Sequence, residues 1–189
     1  MFGNDIAAYL PQQLKPLADL LKQFPTGFEK WVYATSAPPE TYQGDVVTGI
    51  PFVAVDENGD VLRLEAQGMV ISCTCDTQPG QGEFVLVAPV FDLDDYRSKS
   101  ELKGRDLDNH IRALTENKIS NLLFLPEGAS IRRCFADFGQ ISTVSISYFH
   151  SNRGQRRLVS LSLYGHYFLL MKLAHHFTRR EPPDVTRKI

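Results

Sequence analysis

Three residues in one short stretch carry most of the reactive chemistry of this chain. They are Cys73, Cys75 and Asp76, within MVISCTCDTQPGQGEFVLVAPVF at 69–91. Two thiols and a carboxylate are zinc-ligand types, and a thiol beside a base is a nucleophile. Structural zinc sites, however, use paired motifs with gaps of about two to four residues. No second pair exists, and Cys134 stands alone. Nothing in the spacing of His110, His150, His166, His175 and His176 selects a base for a thiol. His175 and His176 are helical neighbours about 100° apart, so they do not converge on one ion. Cys73 and Cys75 are therefore read as small apolar residues on one face of a strand. Asp76 is read as a carboxylate that bonds its own turn. The P-loop, GxGxxG, HExxH and GxSxG patterns do not occur, so neither metal nor cofactor is expected.

Charge is unevenly spread. Residues 1–152 hold 12 Lys/Arg and 20 Asp/Glu, a net of −8, and residues 153–189 hold 8 and 2, a net of +6. Arg156, Arg157, Lys172, Arg179 and Arg180 in that basic segment are the expected contacts to RNA or an acidic protein partner. Tyr167, Phe168 and Phe177 lie among them, a mixture that binds single strands by stacking and charge. Packing of the basic helix on the acidic remainder of the chain explains the same pattern.

These residues need elements to hold them. The 189 residues, about two-fifths apolar, suffice for one domain with a sizeable core. No apolar run reaches the roughly 18 residues that span a bilayer. The opening MFGNDIAAYLPQQ has no basic n-region and is not read as a signal peptide. Three cysteines fit reduced thiols in a cytoplasmic protein. Leu14, Leu17, Leu20, Leu21 and Phe24 form the stripe of an N-terminal helix within a segment 1–42. A barrel core is expected over 43–150. Phe52–Val55 and Val61–Leu64 flank Asn58-Gly59, a hairpin signal because both residues tolerate positive φ. Met69–Cys73 and Glu83–Val90 are buried strands around a turn, the second ended by Pro89. Phe91–Tyr96 reads as an acidic linker, and Ser98-x-x-Glu101 as a capping box opening a helix to about Asn117. Strands follow at Asn121–Leu125 and Phe135–Ile146. Over 151–189 a basic helix buries a stripe of Leu161, Tyr164, Phe168, Met171 and His175 until Pro182-Pro183 stops it. The fold class is α+β: a small, strongly bent antiparallel barrel with helices at both ends, forming one globular unit.

Three segments of that barrel, Gly44-Asp45-Val46-Val47, Gly68-Met69-Val70-Ile71-Ser72 and Val85-Leu86-Val87-Ala88-Pro89-Val90, resemble the MazF/PemK-type toxins. The resemblance covers about residues 43–91. It implies an SH3-like barrel in a bacterial or phage-borne protein of toxin–antitoxin type, and an endoribonuclease activity. In that family an arginine directly precedes the second strand, and a Thr or Ser follows the proline of the third. Gly68-Met69 and Val90-Phe91-Asp92 stand there in this chain. Two readings follow. One is a non-catalytic barrel that binds a protein or nucleic acid, with a homodimer expected from edge protection. The other is a metal-independent ribonuclease with Arg63 as its cation and Ser72 or Asp76 as its proton acceptor.

Overall fold

A computed structural model describes residues 27–36, 39–128, 130–151 and 157–178. The expected N-terminal helix lies outside the described residues, as do Arg156, Arg179 and Arg180. The chain is α+β, and its described residues build a strongly curled, wholly antiparallel half-barrel of seven strands, β1 (Val46–Val55), β2 (Val61–Val70), β3 (Phe84–Asp92), β4 (Leu122–Leu125), β5 (Cys134–Asp137), β6 (Ser142–Ser145) and β7 (Arg157–Val159), in the order β4-β5-β3-β2-β1-β7 with β6 also on β3.

After a short helix α1 (Phe28–Trp31), β1 (Val46–Val55) and β2 (Val61–Val70) form one long hairpin. Its turn is set by Asp56, whose Oδ1 accepts from the N–H groups of Asn58 and Asp60, both at 2.9 Å. Gly59 alone takes positive φ (86°), not Asn58. Gly59 N–H donates to Asp56 O at 3.1 Å, and Val55 pairs with Val61. Only the base of the hairpin is built into the sheet: β1 meets β7 (Arg157–Val159) at Val46 and Val47, and β2 meets β3 (Phe84–Asp92) at Gln67–Val70. The outer part is a two-stranded arm.

β3 is the spine. Its first half pairs with β6 (Ser142–Ser145) and its last three residues with β5 (Cys134–Asp137). The expected strand 135–146 is thus two strands, separated by a 3-10 turn at Phe138–Gln140. Pro89 does not end β3. It falls between Val87, the last partner of β6, and Val90, the first of β5, where its missing N–H is tolerated.

The runs Val46-Val47, Met69-Val70 and Val87-Ala88 lack alternation because the sheet is covered on both faces. Val46, Met69 and Ala88 face a cluster with Phe28, Phe168 and Leu169; Val47, Val70 and Val87 face another with Val85, Ile146 and Phe149. Gly68 lies between. A Cβ there would stand 2.4 Å from Val87 Cγ1, so glycine lets the base of the arm pack on β3.

Helices close the ends. Phe91–Tyr96 is not a linker. Asp92 caps α2 (Leu93–Lys99), its Oδ1 accepting from Asp94 and Asp95 N–H at 2.9 Å, with acids in the first turn and bases in the last. Ser98 lies inside that helix and makes no capping box; α3 (Gly104–Thr115) begins after Lys103. α4 (Ile146–His150) follows β6, and α5 (Leu163–Thr178) ends the described chain. α5 buries Gly165, Phe168, Leu169, Lys172 and Leu173, a stripe rotated from the expected one; His175 and Phe177 are exposed. No helix among the described residues is long and apolar enough to cross a membrane.

Candidate functional site

The β1–β2 arm has two unlike faces. Directly opposed residues of an antiparallel pair point to the same side. Ile50/Ala66, Phe52/Leu64 and Ala54/Leu62 therefore share one face, and all six are apolar. Pro51/Glu65, Val53/Arg63 and Val55/Val61 share the other. The apolar face starts inside the core, with Ile50 and Phe52 buried, and runs outward uncovered: Leu64 is 51% and Leu62 54% exposed. Beneath it lies a groove of about 390 Å³ between the arm and Pro89, Phe91 and Ile141 of the body. The arm bears Asp56, Glu57, Asp60 and Glu65 against one cation, Arg63.

Lone hairpins are marginal in water, and exposed strands with free edges invite pairing. An arm with an uncovered apolar face is suited to receive a complementary surface, because contiguous exposed apolar patches mark interaction sites.

The Cys-x-Cys segment is a second locus. Cys73 and Cys75 do not lie on a strand. β2 ends at Val70, and Thr74–Thr77 form a 3-10 turn in which Asp76 N–H donates to Cys73 O at 3.0 Å. The turn folds Cys75 and Asp76 back beside Cys73, leaving Cys75 Sγ 3.1 Å from Cys73 Sγ and 3.7 Å from Asp76 Oδ1. All three are exposed. The hydrogen bond from the Cys75 thiol lowers the pKa of the Cys73 thiol, and the same contact raises that of Cys75. The turn is anchored from below. Buried Thr77 donates its hydroxyl to Thr41 O at 3.0 Å and Thr74 O at 2.8 Å. Gln43 N–H reaches Thr74 Oγ1 at 3.2 Å, and its side-chain amide reaches Ile71 O at 2.6 Å. His166, kept neutral by burial, holds Gln43 Oε1 at 2.9 Å.

The remaining expected residues are scattered. Ser72 is buried, and its Oγ accepts the Leu86 N–H at 2.8 Å where the β2–β3 ladder gives out. Arg63 is seven strand residues before the end of β2, about 23 Å along an extended chain. Arg63 and Ser72 therefore do not meet, and the structure does not bring Arg63, Ser72 and Asp76 together.

Of the basic residues expected at a binding surface, the two described ones, Arg157 and Lys172, are turned into the fold. Arg157 Nη1 donates to Glu40 O at 2.7 Å and lies 3.4 Å from Oδ2 of fully buried Asp45. Burial pushes the Asp45 carboxyl up, and the Tyr42 N–H and the Arg157 charge partly offset it. Arg132 and Arg133, by contrast, are exposed and pair with Asp92 and Asp94 at the surface. Lys172, expected at a binding surface, is 6% exposed. Its ammonium donates to Asn117 O at 3.0 Å and Ile119 O at 2.6 Å, backbone carbonyls of the turn that follows α3. A lysine stem packs well inside when its head finds acceptors.

Desolvation lowers the Lys172 ammonium to about 8. Above that pH the folded state has released a proton that the unfolded chain still holds. Stability from this group therefore rises with pH, by a slope approaching about 1.4 kcal/mol per unit. We expect urea midpoints of the wild type to gain on those of Lys172→Met between pH 8 and 9; parallel profiles would contradict the buried charge.

The residues missed from sequence are Phe52, Ala54, Leu62 and Leu64. Their signal was present: apolar side chains at alternate positions on both sides of Asn58-Gly59, which reads equally well as ordinary core. No family model and no curated protein matches this chain.

Proposed function

We propose that this protein is a non-catalytic binding module on a small barrel of the SH3-like, MazF/PemK type, and that it engages a protein partner through the apolar face of its β1–β2 arm. The observation that carries this reading is the uncovered pair Leu62 and Leu64 above the groove to Phe91 and Ile141. The partner segment supplies apolar side chains to that groove and Lys or Arg to the carboxylates at the arm's tip.

Nucleic acid fits less well. Asp56, Glu57, Asp60 and Glu65 repel phosphate, and Arg157 and Lys172 are committed within the fold. The endoribonuclease reading needs a cation beside its proton acceptor, and Arg63 lies well away from Ser72.

Panning the full chain against a peptide library tests the proposal. Peptides rich in apolar residues with basic flanks should be enriched. Enrichment of acidic peptides, or a concentration-dependent dimer that disappears with Leu64→Asp, would assign the face to something else and refute this reading.

A further inference from the structure

We propose that Cys73, Cys75 and Asp76 form a binding site for a thiophilic divalent ion of the zinc class, with the fourth tetrahedral position open to solvent.

The three potential ligand atoms all lie within 4.8 Å of one another. Two sulfurs bound to zinc at about 2.3 Å in tetrahedral geometry sit roughly 3.8 Å apart. The present separation is 3.1 Å, so the two exposed thiols would have to part by about 0.7 Å to reach that value. The carboxylate oxygen, 3.7 Å from Cys75 Sγ, is already at a ligand-to-ligand distance.

The spacing follows from the turn. In an extended strand, residues i and i+2 share a face while i+3 points away. In the 3-10 turn, Asp76 comes round beside Cys73 and Cys75. The bonds from Thr77, Gln43 and Gln78 to Thr74 and Thr41 fix this backbone, so little ordering is left for the ion to impose. Exposure of all three side chains gives the ion its path in. Two sulfurs disfavour magnesium and calcium, which select oxygen. The structural-zinc pattern of two paired motifs does not apply, because a site with three protein ligands keeps an open position. A disulfide is the competing use of the pair, but bridging residues two apart strains the bond.

The test uses reduced, chelator-stripped full-length protein titrated with cobalt(II). Cobalt gives tetrahedral d–d bands and thiolate charge transfer, and zinc(II) then displaces it. One equivalent is expected. Cys73→Ser and Cys75→Ser should each weaken binding by more than the roughly 10–100-fold that loss of a merely supporting partner costs. Asp76→Asn should weaken it less while keeping the charge-transfer band. Cys134, buried with its thiol pushed up to about 12 by desolvation, should be dispensable. Melting curves establish that the variants are folded. Absence of the d–d bands in the wild type, or their survival in Cys73→Ser, would overturn the site. Neither result bears on the arm, which shares no residue with it.

Discussion

Replacing Leu62 and Leu64 together by aspartate should abolish binding of the peptides selected by the arm, while Tm falls by no more than about 4–8 °C. Full burial of a leucine side chain stabilises by about 1.5–3 kcal/mol. Binding covers only the exposed half of each leucine, about 1.5–3 kcal/mol for the pair, so their loss weakens binding by about 10-fold to 100-fold. The added carboxylates deepen the loss when the groove closes over them, since buried charges without partners are costly. Folding is expected to suffer less, because both side chains are half exposed in the free protein. The poor strand propensity of aspartate costs no more than about 1 kcal/mol at each of the two positions. Titration calorimetry with parallel melting curves separates the two effects. If peptide binding survives, the arm is not the binding face. If Tm falls well beyond that propensity cost as binding is lost, the leucines belong to the core. Phe52→Ala is the contrast: Phe52 is buried where the arm joins the second core cluster, so its truncation should cost stability outright.

The second large effect is a destabilisation that helix propensity alone scores with the opposite sign. Alanine stabilises a helix interior over glycine by about 1 kcal/mol. At Gly165, in the first turns of α5, a Cβ would lie 2.2 Å from Val32 O and 3.1 Å from Val32 C. That carbonyl already accepts the Ser162 N–H at 2.9 Å, and Ser162 Oγ donates to Trp31 O and accepts from Gly165 N–H. The clash is with backbone held from both sides, so relief requires α5 to lift from α1. Lifting uncovers Phe168, Leu169 and Leu173, which α5 contributes to the first core cluster. Gly165→Ala should therefore lose about 2 kcal/mol net, the roughly 3 kcal/mol upper range for overpacking less the propensity gain. For a domain of this size that lowers Tm by roughly 4–8 °C. An unchanged or higher Tm would show that α5 is not seated against Val32.

Much of this framework is legible from local rules. Asp56-x-Asn58-Gly59 places the hairpin turn because a side-chain oxygen and one glycine suffice to reverse the chain. The paired valines mark strands buried on both faces. Other features needed tertiary context. Pro89 looks like a strand end until two different strands are found to share one edge of β3. Asp92 looks like part of an acidic linker because a cap and a loop use the same residue types. Lys172 continues the stripe of Gly165, Phe168 and Leu169, yet hydropathy reads it as a break. Only the carbonyls of Asn117 and Ile119, far away in sequence, make it an interior residue. The arm illustrates the same limit from the other side. Alternation identifies the face holding Phe52, Ala54, Leu62 and Leu64, but only the three-dimensional fold shows that nothing in the described chain covers its outer half.

Amide hydrogen exchange with and without a selected peptide tests the central claim most directly. A two-stranded arm without cover exchanges quickly. A partner seated on its apolar face should slow the amides of Phe52–Val55 and Val61–Leu64 by at least about tenfold, leaving the Cys73–Gln78 turn and α5 as before. Protection appearing instead around Arg157 or along α5, with the arm unchanged, would contradict the account.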